Sequence, residues 1–122
     1  MKVCVTSQGD TVDADVDPRF GRCQYFMIYD SDSGQWEAVA NAHKDGGGAG
    51  IQVSQVMADK KVNVVLTGNV GPNGFQALKA GEIEVVTGVT GTIKQAYAAY
   101  MMGDVDKAAE GPTVESHYGL KK

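Results

Sequence analysis

The side chains best suited to holding an anion or a soft metal lie within one short segment, RFGRC. Arg19 and Arg22 carry planar guanidinium groups, whose forked N–H donors suit an anion. Cys23 offers a soft thiolate ligand. Two structural alternatives stay open in this segment: Arg19 is an ion-pair partner of Asp17, and Phe20 is a buried core side chain.

His43 is the second candidate metal ligand. It lies just after a predicted strand and precedes the glycine-rich segment DGGGAG at 45–50, with Lys44 between them. Imidazole is a common ligand for transition metals, so this position predicts a metal contact. The alternative, a solvent-exposed histidine without a ligand, stays open.

Glycine is in clear excess, with 16 glycines in 122 residues, against about 7% in typical domains. Segments 45–50, 68–74 and 88–91 each place glycines between a predicted strand and a predicted helix. Loops after the carboxyl ends of parallel strands collect at one edge of a sheet, where ligands bind. Helix N-termini at that edge favour an anion. The same glycines also suit tight turns and caps, and this alternative stays open.

Several familiar site motifs are excluded by single residues. A dinucleotide-binding GxGxxG motif fails at Ile51 and Val53, and no GK[ST] triplet exists for a phosphate-binding P-loop. The aspartates at 13, 15 and 17 resemble the start of a calcium loop, but its sixth position is Pro18 instead of glycine. Neither a Ser/His/Asp set nor a catalytic carboxylate pair is evident, so we expect a protein that is not an enzyme.

The elements that must position these residues follow from hydrophobic periodicity. The first half of the chain predicts strands, and the second half alternates helices with strands. The predicted strands are 2–6, 25–29, 35–40, 62–66 and 83–86, and the predicted helices are 49–60, 73–80 and 92–102. The order βββ-α-β-α-β-α predicts a single-domain α/β fold with a mixed five-stranded sheet and three helices. Residues 103–122, rich in charge and glycine, are expected to form a loosely held tail.

Composition narrows the possible classes of protein. The net charge of −4 argues against general binding to nucleic acid. No apolar run approaches the roughly 20 residues of a membrane span, and the first residues do not resemble a signal peptide. With two isolated cysteines, we expect a cytoplasmic protein with reduced thiols.

Three stretches together resemble the dinitrogenase iron–molybdenum cofactor-binding family. They read DPRFGRCQYFMIYD, HKDGGGAG and VNVVLTGNVGPNGFQALKAGEIEVVTGVTGTIKQA, and the resemblance covers residues 1–102. That family includes nitrogenase accessory proteins, cofactor carriers and small proteins of sulfate reducers that hold a molybdenum–copper sulfide cluster. The resemblance implies a ribonuclease H-like fold without nuclease activity and the binding of an anionic metal–sulfur cluster.

The resemblance also implies a set of site residues. Its matches are Arg19, Phe20, Gly21, Cys23, His43, Gly46, Gly48, Gly68, Gly71, Gly74 and Gly88. We add Arg22, Asn69 and Thr90, which lie in the same segments. Gly-Glu-Ile at 81–83 stands where the family commonly has Ala-Gly-Ile, a small departure.

The leading hypothesis is therefore a non-enzymatic carrier of a molybdenum-containing metal–sulfur cluster. The cluster would resemble the iron–molybdenum cofactor or a molybdenum–copper sulfide. Expected partners are the cluster itself and cofactor-assembly or acceptor proteins, without nucleic acid or membrane. The alternative is a regulatory or scaffold domain that binds a protein partner and no metal. An enzyme acting on a small phosphorylated substrate is a third hypothesis, which lacks a convincing catalytic base.

Overall fold

The computed structural model describes residues 1–103 and contains one mixed sheet with helices on both faces. The elements are β1 (Lys2–Ser7), β2 (Tyr25–Asp30), β3 (Gln35–Ala40), α1 (Ala49–Asp59), β4 (Val64–Leu66), α2 (Pro72–Ala80), β5 (Glu84–Val86) and α3 (Ile93–Met101). The predicted α/β class, element order and five-stranded sheet are confirmed, with bounds shifted by at most two residues. The ribonuclease H-like assignment stays a prediction, and the expected tail at 103–122 lies outside the described residues except for its first residue.

The strand order, β3-β2-β1-β4-β5, determines where the loops meet. Strands β1, β4 and β5 are parallel, and β2 is antiparallel to both β1 and β3. Strand β3 therefore runs in the same direction as β1. As a result, the carboxyl ends of β1, β3, β4 and β5 all lie at one edge of the sheet, which we call the site edge. The turn at 31–34 lies at the opposite edge, where the Ser31 N–H donates to the Met1 carbonyl over 2.9 Å.

The core is divided into two layers by the sheet. Side chains of α1 and α2, including Met57 and Leu78, pack on one face against residues such as Cys4. Helix α3 covers the other face, where Ile93 packs with Val3 and other strand residues. Burial on both faces explains the apolar run VCV at 3–5 in β1. Cys4 is a buried core residue, as its place in that apolar run predicts.

No described helix is both long enough and apolar enough to cross a membrane.

Gly68 illustrates how tightly the site edge is packed. A Cβ added there would lie 2.7 Å from the Cα of Pro18 and 3.0 Å from its carbonyl oxygen. The long loop that joins β1 to β2 can therefore lie directly on the end of β4 only because position 68 carries no side chain.

We predict that Gly68→Ala lowers the free energy of unfolding by about 1–3 kcal/mol, because the new methyl group overlaps backbone atoms that cannot rotate away. Gly47→Ala is the matched control, since a Cβ at that exposed position meets no atom within 4 Å. Urea denaturation measures both variants. Equal stability of the two would contradict the close packing of Pro18 on Gly68.

Candidate functional site

The long β1–β2 loop runs between the glycine-containing loops of the site edge and joins them through its backbone. Asn69 N–H donates to the Pro18 carbonyl over 2.7 Å, and Phe20 N–H donates to the Asn69 carbonyl over 3.3 Å. Gly88 N–H in turn donates to the Gly68 carbonyl over 2.9 Å. The structure thus places three of the predicted segments, RFGRC, 68–74 and 88–91, beside one another.

Close contacts between glycines place the start of α1 beside these three segments as well. A Cβ on Gly21 would lie 3.1 Å from the Gly50 nitrogen, and a Cβ on Gly50 would lie 3.2 Å from Gly74. The N-termini of α1 and α2 therefore pack against each other and against RFGRC. Gly21, Gly50 and Gly74 serve this close packing, so their contribution to any site is to position its backbone.

The three helix N-termini differ in their capacity to bind an anion. Helix α3 begins with a complete capping box between Thr92 and Gln95. The next N–H groups, of Ile93 and Lys94, donate to loop carbonyls at residues 14 and 12 over 2.9 and 3.0 Å. These donors are occupied within the protein, so the start of α3 has little capacity left for a ligand.

The start of α1 is open by comparison. Among the described residues, none caps α1 or α2 through a side chain, and α2 begins with Pro72, which has no N–H. Gly46, Gly47 and Gly48 are exposed. Gly48, the N-cap of α1, has φ of 70°, a conformation that favours glycine. The exposed backbone at 47–48, at the start of α1, is therefore the best placed to offer N–H groups to an anion.

In the other two glycine loops, several backbone N–H groups already form hydrogen bonds within the protein. The N–H groups of Gly88 and Val89 donate to the carbonyls of Gly68 and Thr67, and that of Asn69 is held by Pro18. Thr90 is exposed in the same loop as Gly88. These bonds hold the two loops to each other and to the long loop, so the N–H groups of Asn69, Gly88 and Val89 are not left for a ligand.

Arg19 is the partner of a buried carboxylate. Asp17 is 1% exposed and accepts bonds from Arg19 Nε at 3.1 Å and Nη2 at 3.2 Å. It also accepts the Arg19 backbone N–H at 3.1 Å. The ion-pair alternative for Arg19 is confirmed, although 52% of its side chain is exposed at the site edge. Most of its charge is balanced by Asp17.

Phe20 and Cys23 point into the protein. Phe20 is buried, and a Cβ on Gly74 would lie 3.2 Å from its ring. The core alternative for Phe20 is therefore confirmed. Cys23 is fully buried, with its Sγ 3.5 Å from the Phe20 carbonyl oxygen.

The environment of Cys23 opposes a thiolate. Burial, and to a smaller extent the negative charge of Asp17, raise the pKa of the Cys23 thiol to about 12. A thiol in this position stays protonated and does not reach the surface of the site edge. The interpretation of Cys23 as a soft surface ligand is thus corrected: in this conformation the side chain is a core residue.

His43 and Arg22 remain at the surface on the α1 side. Arg22 is exposed, and its Nη1 donates to the Lys44 carbonyl over 2.6 Å. His43 is half-buried, its N–H donates to Asn41 Oδ1 over 2.9 Å, and its carbonyl accepts from Gly46 N–H over 3.2 Å. The structure thus brings His43, Arg22 and the open start of α1 together.

Asn41 is the site residue that the sequence interpretation missed. Its side chain is buried and bonds to both RFGRC and the His43 segment. The available signal was an asparagine two residues before His43, which is typical of a side-chain turn.

Charge is distributed unevenly along the site edge. Arg22, Lys44 and the half-buried His43 lie beside the start of α1 with one exposed carboxylate, Asp45, whereas three exposed aspartates, at 10, 13 and 15, belong to the part of the long loop beside α3. There, Asp13 pairs with Lys94 at 3.2 Å. The described residues contain no group of three or more His, Cys, Asp or Glu side chains that could hold a bare metal ion. An anion is therefore favoured on the α1 side.

The chain belongs to the dinitrogenase iron-molybdenum cofactor family, whose model matches residues 1–103. A curated relative, an uncharacterised protein of Methanocaldococcus jannaschii, is 29% identical over 94 residues, covering 74% of this chain and 80% of its own length. The match to the family model confirms the family to which the three sequence stretches pointed.

Two solved structures share the fold at substantial identity. The apo form of the orange protein from Desulfovibrio gigas superposes with a TM-score of 0.87 and 41% identity, covering 92% of this chain and 95% of that one. The NMR structure of a Thermotoga protein, provisionally assigned as a NifB protein, has a TM-score of 0.79 and 36% identity. The match covers 87% of this chain and 91% of that one. Together with the family match, these neighbours indicate a role related to the binding of a metal cofactor.

We predict that the folded protein resists thiol-directed reagents at about pH 8, because both cysteines are buried and protonated. Ellman's reagent should label Cys4 and Cys23 only as fast as the protein unfolds. As a control, the same reagent in denaturant should label both thiols of the chain. Rapid labelling of one thiol in the folded protein would place Cys23 at the surface after all.

Proposed function

We propose that this protein binds and carries an anionic, molybdenum-containing metal–sulfur cluster at the open start of α1. The cluster is of the iron–molybdenum cofactor type or a molybdenum–copper sulfide. The observation that carries the proposal is that, among the described residues, no side chain caps the start of α1. Arg22 and His43 lie beside this uncapped helix start. Free backbone donors, a helix dipole and positive charge converge there in a member of a cofactor family.

The chemistry of the side chains restricts how such a cluster is held. The two cysteines are buried, so the cluster must bring its own sulfide ligands. His43 is the candidate for a single protein ligand to the metal. Hydrogen bonds from residues 47–48 and the charge of Arg22 supply the remaining attraction. A cluster held by so few covalent contacts can be released, which suits a carrier.

The family and the structural neighbours support this proposal in different ways. The family is named for a cofactor, and the orange protein of Desulfovibrio gigas, which shares the fold, was solved in its apo form. Beyond cluster binding, we propose that the protein is a non-enzymatic, cytoplasmic carrier with a ribonuclease H-like fold. It would exchange its cluster with cofactor-assembly or acceptor proteins.

Binding should be observable directly. We predict that the protein, titrated anaerobically with tetrathiomolybdate and copper or with iron–molybdenum cofactor, gives a saturable visible spectrum that survives desalting. Amide NMR should show shifts at 43–50 and in RFGRC, with smaller shifts at 69–73, because the open donors and basic side chains lie there. The turn at 31–34 and the occupied start of α3 provide internal controls.

Two outcomes would contradict this proposal. If no coloured species survives desalting with any of these clusters, the alternative of a regulatory or scaffold domain without metal becomes the better one. If the amide shifts are centred on 92–95 or on 31–34, a cluster binds but the site lies elsewhere.

Side-chain substitutions test the ligands. We predict that His43→Ala lowers the affinity for the cluster by about tenfold or more if the imidazole coordinates metal. Cys23→Ala should lower stability yet bind the cluster like the wild type, because the thiol is buried. His117→Ala, which removes the chain's other imidazole, is the matched control. Metal retained after desalting is measured by elemental analysis, and unchanged retention in His43→Ala would mean that amides and charge alone hold the cluster.

A further inference from the structure

Asn41 connects two segments of the site edge that are far apart in the chain. Its side chain is 3% exposed, and it follows directly after β3. Nδ2 donates to the Gly21 carbonyl over 3.0 Å and to the Cys23 carbonyl over 2.9 Å. Oδ1 accepts the His43 N–H over 2.9 Å. One side chain therefore holds RFGRC and the His43 segment together.

We infer that Asn41 is the positioning residue of the cluster site, which sets His43 and Arg22 side by side. The inference rests on the proposed function. Asn41 itself faces the protein interior and does not touch the ligand. It acts through the peptide groups that carry the half-buried His43 and the exposed Arg22.

Two further hydrogen bonds connect the RFGRC segment and the residue after it to the His43 segment. Arg22 Nη1 donates to the Lys44 carbonyl over 2.6 Å, and the Asn41 backbone N–H donates to the Gln24 carbonyl over 3.0 Å. Segments 21–24 and 41–44 are therefore joined at several points along their length. Because residue 44 leads directly into the open start of α1, the same bonds align the basic side chains with the free amides.

The site needs the amide group specifically. Both hydrogens of Nδ2 are used on two backbone carbonyls, while the oxygen accepts an N–H, so every polar atom of the side chain has a partner. Asn41→Asp has nearly the same shape but places a carboxylate oxygen against two carbonyl oxygens in a buried place. Asn41→Ala leaves two carbonyls and one N–H without partners, which is costly in a buried site.

The chain offers a matched control for these variants at the opposite edge. Asn63 Oδ1 accepts the Lys2 N–H over 2.7 Å, so Asn63→Ala also removes a side-chain bond to the backbone. It does so far from His43. Because Asn63 is exposed and Asn41 is buried, the variants are compared by the visible band of the folded, loaded protein, which only a change at position 41 should displace.

The experiment measures cluster retention and fold together on the full chain. Wild type, Asn41→Asp, Asn41→Ala and Asn63→Ala are titrated anaerobically with tetrathiomolybdate and copper, and their unfolding is measured in urea. We expect both Asn41 variants to bind about tenfold more weakly or worse, with a displaced visible band. Asn63→Ala should bind like the wild type with the same band. Amide spectra of the apo Asn41 variants should change at 21–24 and 42–48.

Three results would decide against the inference. Folded Asn41 variants that bind within about twofold of the wild type, with an unshifted band, would make Asn41 merely structural. If neither Asn41 variant folds, hydrogen exchange in the wild-type protein tests whether the bonds of Asn41 are formed in solution. Fast exchange of both the His43 N–H and the Asn41 side-chain amide would overturn the proposal. A wild-type protein that retains no cluster would overturn the proposed function as well, and the wild-type titration alone shows this.

Discussion

A pair of buried hydroxyl groups holds the long β1–β2 loop against the sheet, and the site edge depends on it. Thr6 lies in β1 and Thr67 follows β4, and their hydroxyl oxygens share a hydrogen bond of 2.8 Å. Thr6 Oγ1 also bonds to the Asp17 carbonyl at 2.6 Å, and the Asp17 N–H donates to the Thr6 carbonyl over 2.8 Å. With Asp17 fixed in this way, its carboxylate can orient Arg19, and RFGRC reaches the helix N-termini.

Much of the fold was open to prediction because its signals are local. Apolar runs such as VNVVL, helical periodicity and glycine at helix ends are each read from a few neighbouring residues. The meeting of the glycine loops at one edge then follows from strand direction. The small errors at the element bounds also have local causes, such as Lys61, whose φ of 61° ends α1 and delays the start of β4.

The site was less predictable because its chemistry depends on partners distant in sequence. Cys23 lies in a polar stretch of sequence, yet the fold buries its thiol, which contacts the Phe20 carbonyl oxygen and lies near Asp17. The helix starts look alike in sequence, but the loop carbonyls at 12 and 14 occupy the donors of α3 and leave those of α1 open. The contacts of Asn41 likewise arise only when β3 places it beside RFGRC.

The separation between the two edges of the sheet has a practical use. Ser33 is exposed in the turn at 31–34, at the end of the molecule away from His43 and α1. Both native cysteines are buried, so Ser33→Cys would create the one thiol available for coupling. A protein attached to an electrode or a bead through that position would be immobilised in a single orientation, with the site edge facing the solution and open to cluster donors.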